Sequence, residues 1–181
     1  MEHDLHTLHP DLRASIELFY DPYNLNCTNL SKEAESAEYG AYQFELNKRL
    51  ALFRVAKTTP TKVGQFVTIW NRNEKGITQP YDISDPIEFF IIATRKDNKF
   101  GQFVFPKNIL CEKDIVSKNR KGGKRGIRVY PPWDKTANKQ AQKTQTWQLK
   151  YFISIPTNED TDKNRVQILF NCAFNNSGDL S

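Results

Sequence analysis

The chain is poor in the residues that most often carry metal or nucleophilic chemistry. Its three cysteines, Cys27, Cys111 and Cys172, form no even set and no Cys-x-x-Cys pair. That argues against a disulfide framework and against a zinc site, and leaves reduced core or surface thiols. The three histidines, His3, His6 and His9, all lie within the first nine residues. Three-residue steps at a terminus do not preorganise imidazoles for a metal, and no Ser-His-Asp or Cys-His arrangement follows from them. Gly122-Gly123-Lys124 lacks the earlier glycine and the following Ser or Thr of a phosphate loop. No apolar run approaches the roughly 20 residues of a membrane helix. The start, MEHDLHTLHP, has neither the basic nor the apolar part of a secretion signal. A cytoplasmic protein without a membrane partner is expected.

What the chain does have is a core and a local excess of positive charge. With 181 residues, 38% hydrophobic and 12% aromatic, it is expected to fold as one domain, residues 1–181, around a continuous core. The net charge of +5 is mild, but residues 107–150 hold twelve Lys or Arg against Glu112, Asp114 and Asp134, a local +9 that leaves −4 elsewhere. A field of one sign concentrates a partner of the other. Phosphate backbones fit it, an acidic protein fits it, and a solvated lysine-rich face with no partner is the plain alternative.

Pro10 opens a helix in which Leu12, Ile16 and Phe19 share a face, ending at Asp21-Pro22. Residues 31–38, rich in Ala and Glu and started by Ser31, predict a second helix. Tyr39–Leu46 and Leu50–Lys57 read as a hairpin turned at Asn47-Lys48-Arg49. Thr59-Pro60 predicts a helix with Val63, Phe66, Val67 and Trp70 on one buried face. Ile87–Ala93 reads as the central strand, covered on both faces, turning at Asp97-Asn98 into Phe100–Phe105, with a short helix from Lys107. Residues 117–130 read as a loop kept mobile by its glycines, and 136–153 as an amphipathic helix with strand as a rival at its end. No internal repeat is visible.

At Gly64–Trp70, Phe105–Lys107, Lys124–Trp133 and Gln140–Gln145 the chain closely resembles the MepB-like family. The resemblance covers a core of about residues 34–153, leaving residues 1–33 as an N-terminal helical segment and 154–181 as a C-terminal extension. It implies an α/β fold with a mixed central β-sheet flanked by helices, a restriction-endonuclease-like (PD-(D/E)xK) core, nucleic-acid binding, and the bacterial cytosol. Members accompany a multidrug-efflux operon in some bacteria.

Nucleases of that superfamily hold Mg²⁺ between an acid at the end of one strand and an acid-x-Lys on the next. Glu45 would supply the first carboxylate, and Arg54-Val55-Ala56-Lys57 falls where the second motif belongs. Val55 stands at the acid position, and an isopropyl group offers a metal no oxygen. Glu35 and Glu38 are possible accessory acids. The expectation is a degenerate site with no resident metal or cofactor. The rival is a Mg²⁺-dependent nuclease with a rearranged acid set.

For binding, Arg54, Lys57 and Lys62 would flank one sheet end and the start of the following helix, whose N-terminus attracts phosphate. The loop residues Lys118, Arg120, Lys121, Lys124, Arg125 and Arg128 form the densest cationic stretch, with no acid among them. Tyr130, Trp133 and Trp70 could stack on unpaired bases, an interaction worth roughly 1–3 kcal/mol per base. Trp70 fits the buried stripe and reads as core, whereas Trp133, beside the basic loop, reads equally as core or as a stacking surface. With no recognition helix or zinc finger, the expected partner is RNA or single-stranded DNA, with weaker binding of duplex DNA.

Overall fold

The computed structural model describes residues 5–156 and 159–174. Pro10 begins helix α1 (Pro10–Ser15), which continues as a wider π turn through Tyr20. Then come β1 (Cys27–Lys32), β2 (Tyr42–Leu46), β3 (Arg49–Val55), β4 (Lys57–Thr59), β5 (Lys62–Thr68), β6 (Trp70–Arg72) and β7 (Thr78–Pro80). The chain goes on through β8 (Phe89–Lys96), β9 (Lys99–Pro106), α2 (Lys107–Glu112), β10 (Gly126–Val129), α3 (Lys139–Gln148), β11 (Phe152–Ser154) and α4 (Glu159–Phe174).

Six of these strands make a mixed sheet in the order β1-β2-β3-β8-β9-β11, in which only the β3–β8 pair is parallel. Helices flank it, so the α/β class is as expected. The β2–β3 hairpin turns at Asn47 and Lys48, both at positive φ (50° and 67°), the backbone that suits a two-residue turn between twisted strands. β8 carries the apolar run near the sheet centre, with Phe89 to Ala93 all buried. Alternation along the strands feeds two cores. Phe44, Phe53, Phe89 and Ile91 face α1 and α4, meeting Leu12, Phe19, Val166 and Phe170. Leu52, Phe90, Ile92 and Phe105 face the other way, onto Val67, Ile69, Ile127 and Val129. Each such side chain contributes roughly 1.5–3 kcal/mol on burial.

Three expected elements differ. Residues 31–38 are not a helix. β1 runs to Lys32 and pairs with β2, and only a single turn of 3-10 helix follows at Ala37–Tyr39. Pairing along a sheet edge overrides the modest helix propensity of Ala and Glu. The segment from Thr59 is not a helix either: it is β4, β5 and β6. Gln65, Val67 and Ile69 are buried while Phe66 and Thr68 are half-buried, a period of two, and Val63 on the supposed apolar stripe is 47% exposed. Its β-branched and aromatic residues favoured strand, and the helical spacing was coincidental. The helix whose N-terminus was expected to follow Lys57 is therefore strand, and Lys57 itself begins β4.

Finally, residues 117–130 are ordered by specific contacts. Gly123 has φ +82°, and a Cβ there would sit 2.7 Å from Cβ of Pro80. Its glycine permits close approach as well as a left-handed backbone. The helix expected at 136–153 is confined to α3, and the strand alternative holds at its end in β11. Cys27 and Cys111 are free thiols. His3 lies outside the described residues.

Candidate nucleic-acid interface

A buried carboxylate organises the basic segment. Asp82, 2% exposed, accepts from the Ser117 hydroxyl at 2.6 Å and the Arg120 amide at 2.8 Å through one oxygen. The other oxygen accepts from the Ser84 hydroxyl at 2.8 Å and the Ser84 amide at 3.1 Å. Burial pushes this carboxyl up, but the hydrogen bonds from Ser117, Arg120 and Ser84 outweigh it and hold it well below the usual carboxylate range. Backbone bonds from Ser117 to Tyr81 (2.8 Å) and from Ile83 to Ser117 (2.9 Å) complete the joint. Arg120 then reaches Asp85 at 3.0 Å.

The cations it carries are not equivalent. Arg128 donates to the Gly64 carbonyl at 3.0 Å and so braces β10 against β5. Arg125 contacts the Thr78 hydroxyl at 3.4 Å. Lys118, Lys121 and Lys124 are exposed, and among the described residues none forms a salt bridge.

β10 and α3 enclose a cleft of about 410 Å³ lined by Lys113, Lys124, Arg128, Tyr130, Thr144 and Trp147 among others. Lys113, Thr144 and Trp147 also line an adjoining depression that adds Lys143 and Lys150. No Asp or Glu lines either among the described residues. The helix is well founded. Asn138 caps it by accepting from the Ala141 amide at 2.8 Å. Gln148, 1% exposed, accepts from the Tyr130 amide at 2.9 Å and donates to the Arg128 carbonyl at 3.0 Å, fixing α3 to β10. Lys113 Nζ lies 5.5 Å from the Trp147 ring centre, within cation–π range. Lys113, Lys143, Lys150 and Trp147 were missed in the sequence, although Gln140, Lys143, Thr144 and Trp147 recur at helical spacing and share one side of α3, with Trp147 also packed on Phe105.

The remaining expected residues are scattered. Trp133 is half-buried, edge-on to Phe152 at 5.6 Å, and lines a separate depression with Lys62. Trp70 belongs to neither core cluster. Arg54 is buried, 1% exposed, and is ion-paired with Glu33.

The nuclease-motif positions do not converge. Glu45 alternates with the buried Phe44 and Leu46 and so faces away from the first core, whereas Val55 packs against that core. Lys57 pairs with Glu38 at 3.1 Å and lies over the Tyr39 ring, and Glu35 pairs with Arg72. Among the described residues no three His, Cys, Asp or Glu are grouped to hold a metal. The acids present do not fit the Mg²⁺ site of the superfamily, since hard cations require converging oxygens.

A family model described as MepB-like matches residues 33–154. A solved structure, described as the crystal structure of MepB, is 34% identical, with a TM-score of 0.69 over 77% of this chain and 95% of its own. The chain belongs to the MepB-like family.

A bacterial homing endonuclease, I-Ssp6803I, aligns at 12% identity and a TM-score of 0.46 over 93% of this chain and 94% of its own. No curated protein matches. The MepB-like region contains the basic segment, the α3–β10 cleft and Arg54. α1 and α4, which cover the first core, lie outside it. No helix among the described residues is long and apolar enough to cross a membrane.

Proposed function

We propose that this MepB-like protein binds nucleic acid along the α3–β10 cleft, on a nuclease-related core, without cutting it. The observation that carries the reading is the cleft itself, where Lys113, Lys124 and Arg128 converge with no carboxylate among the described lining residues. Phosphates entering such a cleft meet cations without a compensating acid, and the counterions they release drive binding. Trp147 and Tyr130 in the same lining offer aromatic surface to unpaired bases, which favours RNA or single-stranded DNA over a duplex whose bases are already stacked. The tied-up acids Glu35 and Glu38, and the opposed faces of Glu45 and Val55, support binding without hydrolysis.

Purified protein incubated with labelled single-stranded and duplex oligonucleotides of equal length, in Mg²⁺, Mn²⁺ or EDTA, tests it. Single strands are expected to bind more tightly and to remain intact. Cleavage abolished by EDTA and by Glu45→Ala would revive the nuclease reading, and absence of any binding would leave an acidic protein as the partner of the cleft.

A further inference from the structure

A second cavity, of about 570 Å³, opens where Glu33, just past β1, and Gln43 and Arg54 of the main sheet meet Trp70, Asn71 and Asp85. Its size lies within the roughly 300–1,000 Å³ range of sites that enclose small organic ligands. Three features of its wall point to one kind of occupant.

The first is a pair of polar atoms without partners. Nε of the buried Arg54 and Oδ1 of Asn71 are both shielded from solvent and neither has a hydrogen-bond partner. Buried polar groups are almost always satisfied, and this unused donor and unused acceptor lie just beneath the surface of one cavity wall, where a ligand edge that displaces their thin cover would satisfy both. The second is an aromatic wall. Trp70 is half-buried, belongs to neither core, and has the Arg72 guanidinium 5.2 Å from its ring centre, a surface suited to a flat ring. The third is charge. Glu33, Glu35 and Asp85 line the cavity, while Arg54 and Arg72 are already paired with Glu33 and Glu35. With each acid paired to an arginine, Asp85 to Arg120, the wall offers a phosphate no free cation, whereas the carboxylate and amide oxygens offer acceptors to an exocyclic amino group.

We infer that this cavity receives a single unstacked nucleobase bearing an exocyclic amino group, such as cytosine, from a strand whose backbone lies on the basic segment. The inference deepens the proposed function and rests on it for the source of the base. The connection is physical: Asp85, in the cavity wall, is held by Arg120 of the basic segment. A base turned out of its stack is read by hydrogen bonds to its edge and by aromatic packing on its face. Here the amino group donates to Asn71 Oδ1 or Glu33, a ring nitrogen or carbonyl accepts from Arg54, and Trp70 takes the ring face.

Equal-length oligodeoxycytidylate and oligothymidylate share one backbone, so phosphate contacts cancel in their comparison. The cytidylate is expected to bind about tenfold more tightly, the discrimination one well-formed pair of base contacts supplies. Trp70→Leu and Asn71→Leu, each checked for unchanged thermal unfolding, are expected to bring the ratio near one while oligothymidylate affinity and its salt dependence persist. Equal affinities in the unaltered protein, or a preference that survives both substitutions, would overturn the base pocket and leave the cleft reading intact. Cytidine and thymidine titrated by calorimetry carry no phosphate and decide the pocket even where neither oligonucleotide binds. Cytidine heat that saturates and disappears in Trp70→Leu supports it, and its absence overturns it.

Discussion

Arg120 grips Asp85 with both terminal guanidinium nitrogens, at 3.0 and 3.4 Å. The pair joins the cationic segment to the wall of the polar cavity, while the neighbouring Asp82 takes the Arg120 amide. The partly exposed ion pair itself contributes little, about 1 kcal/mol. The buried carboxylate beside it is the stronger element.

Asp82→Ala is accordingly expected to destabilise the protein by about 2–4 kcal/mol, because the buried Ser117 hydroxyl, the Ser84 groups and the Arg120 amide all lose their acceptor. Equilibrium urea unfolding measures this. A loss below about 0.5 kcal/mol, the size of an ordinary surface substitution, would mean that the joint does not hold the basic segment.

Two glycines separate close packing from backbone conformation. Gly123 (φ +82°) and Gly76 (φ +73°) have similar left-handed backbones, but a Cβ at Gly123 meets Pro80 at 2.7 Å whereas one at Gly76 meets nothing within 4 Å. Gly76→Ala should cost about 1 kcal/mol, the backbone term alone. Gly123→Ala should cost at least twice that. Equal losses in thermal unfolding would show that the basic segment moves aside freely.

The third prediction concerns pH. His9 caps α1 by accepting from the Asp11 amide through Nδ1 at 3.1 Å, so only the form unprotonated at Nδ1 can cap. Burial lowers its pKa, with nearby Arg95 and Lys32 acting in the same sense and Asp11 opposing them. The unfolded imidazole takes up its proton near the ordinary value of about 6.5, and the folded one does so at lower pH. The stability this group contributes is therefore present above about pH 6.5 and is lost as pH falls towards the folded value. His9→Ser retains a cap without titrating there, and its stability should fall less than that of the unaltered protein between pH 7.5 and 5.5, values chosen to bracket the ordinary histidine range. Parallel pH profiles would contradict this.

Much of the main sheet was legible because its signals were local. Asn47-Lys48 between alternating runs marked the hairpin, and Ile87–Ala93 marked the centre. The segment Thr59–Trp70 misled because Val63, Phe66, Val67 and Trp70 satisfy a helical period while Gln65, Val67 and Ile69 satisfy a strand period, and pairing with β4 and β10 decides between them. That error also placed Trp70 in the core, when strand geometry sets it in a cavity wall. The cationic stretch 118–128 was visible as composition. Its division into bracing residues such as Arg128 and unpaired ones such as Lys124 was not, since that depends on the carbonyl of Gly64, distant in sequence. Arg54 left one local trace, a charge inside an apolar strand. Its partner Glu33 was hidden in a segment read as helix.

The most direct test of the cleft is the salt dependence of single-strand binding in a protein carrying Lys113→Gln, Lys124→Gln and Lys143→Gln together. Each phosphate contact on a single strand contributes roughly 0.7 to the slope of log K against log salt, so three lost contacts should flatten it by about two units while thermal unfolding stays unchanged. A slope equal to that of the unaltered protein, in a variant that remains folded, would contradict the placement of the phosphate backbone between α3 and β10.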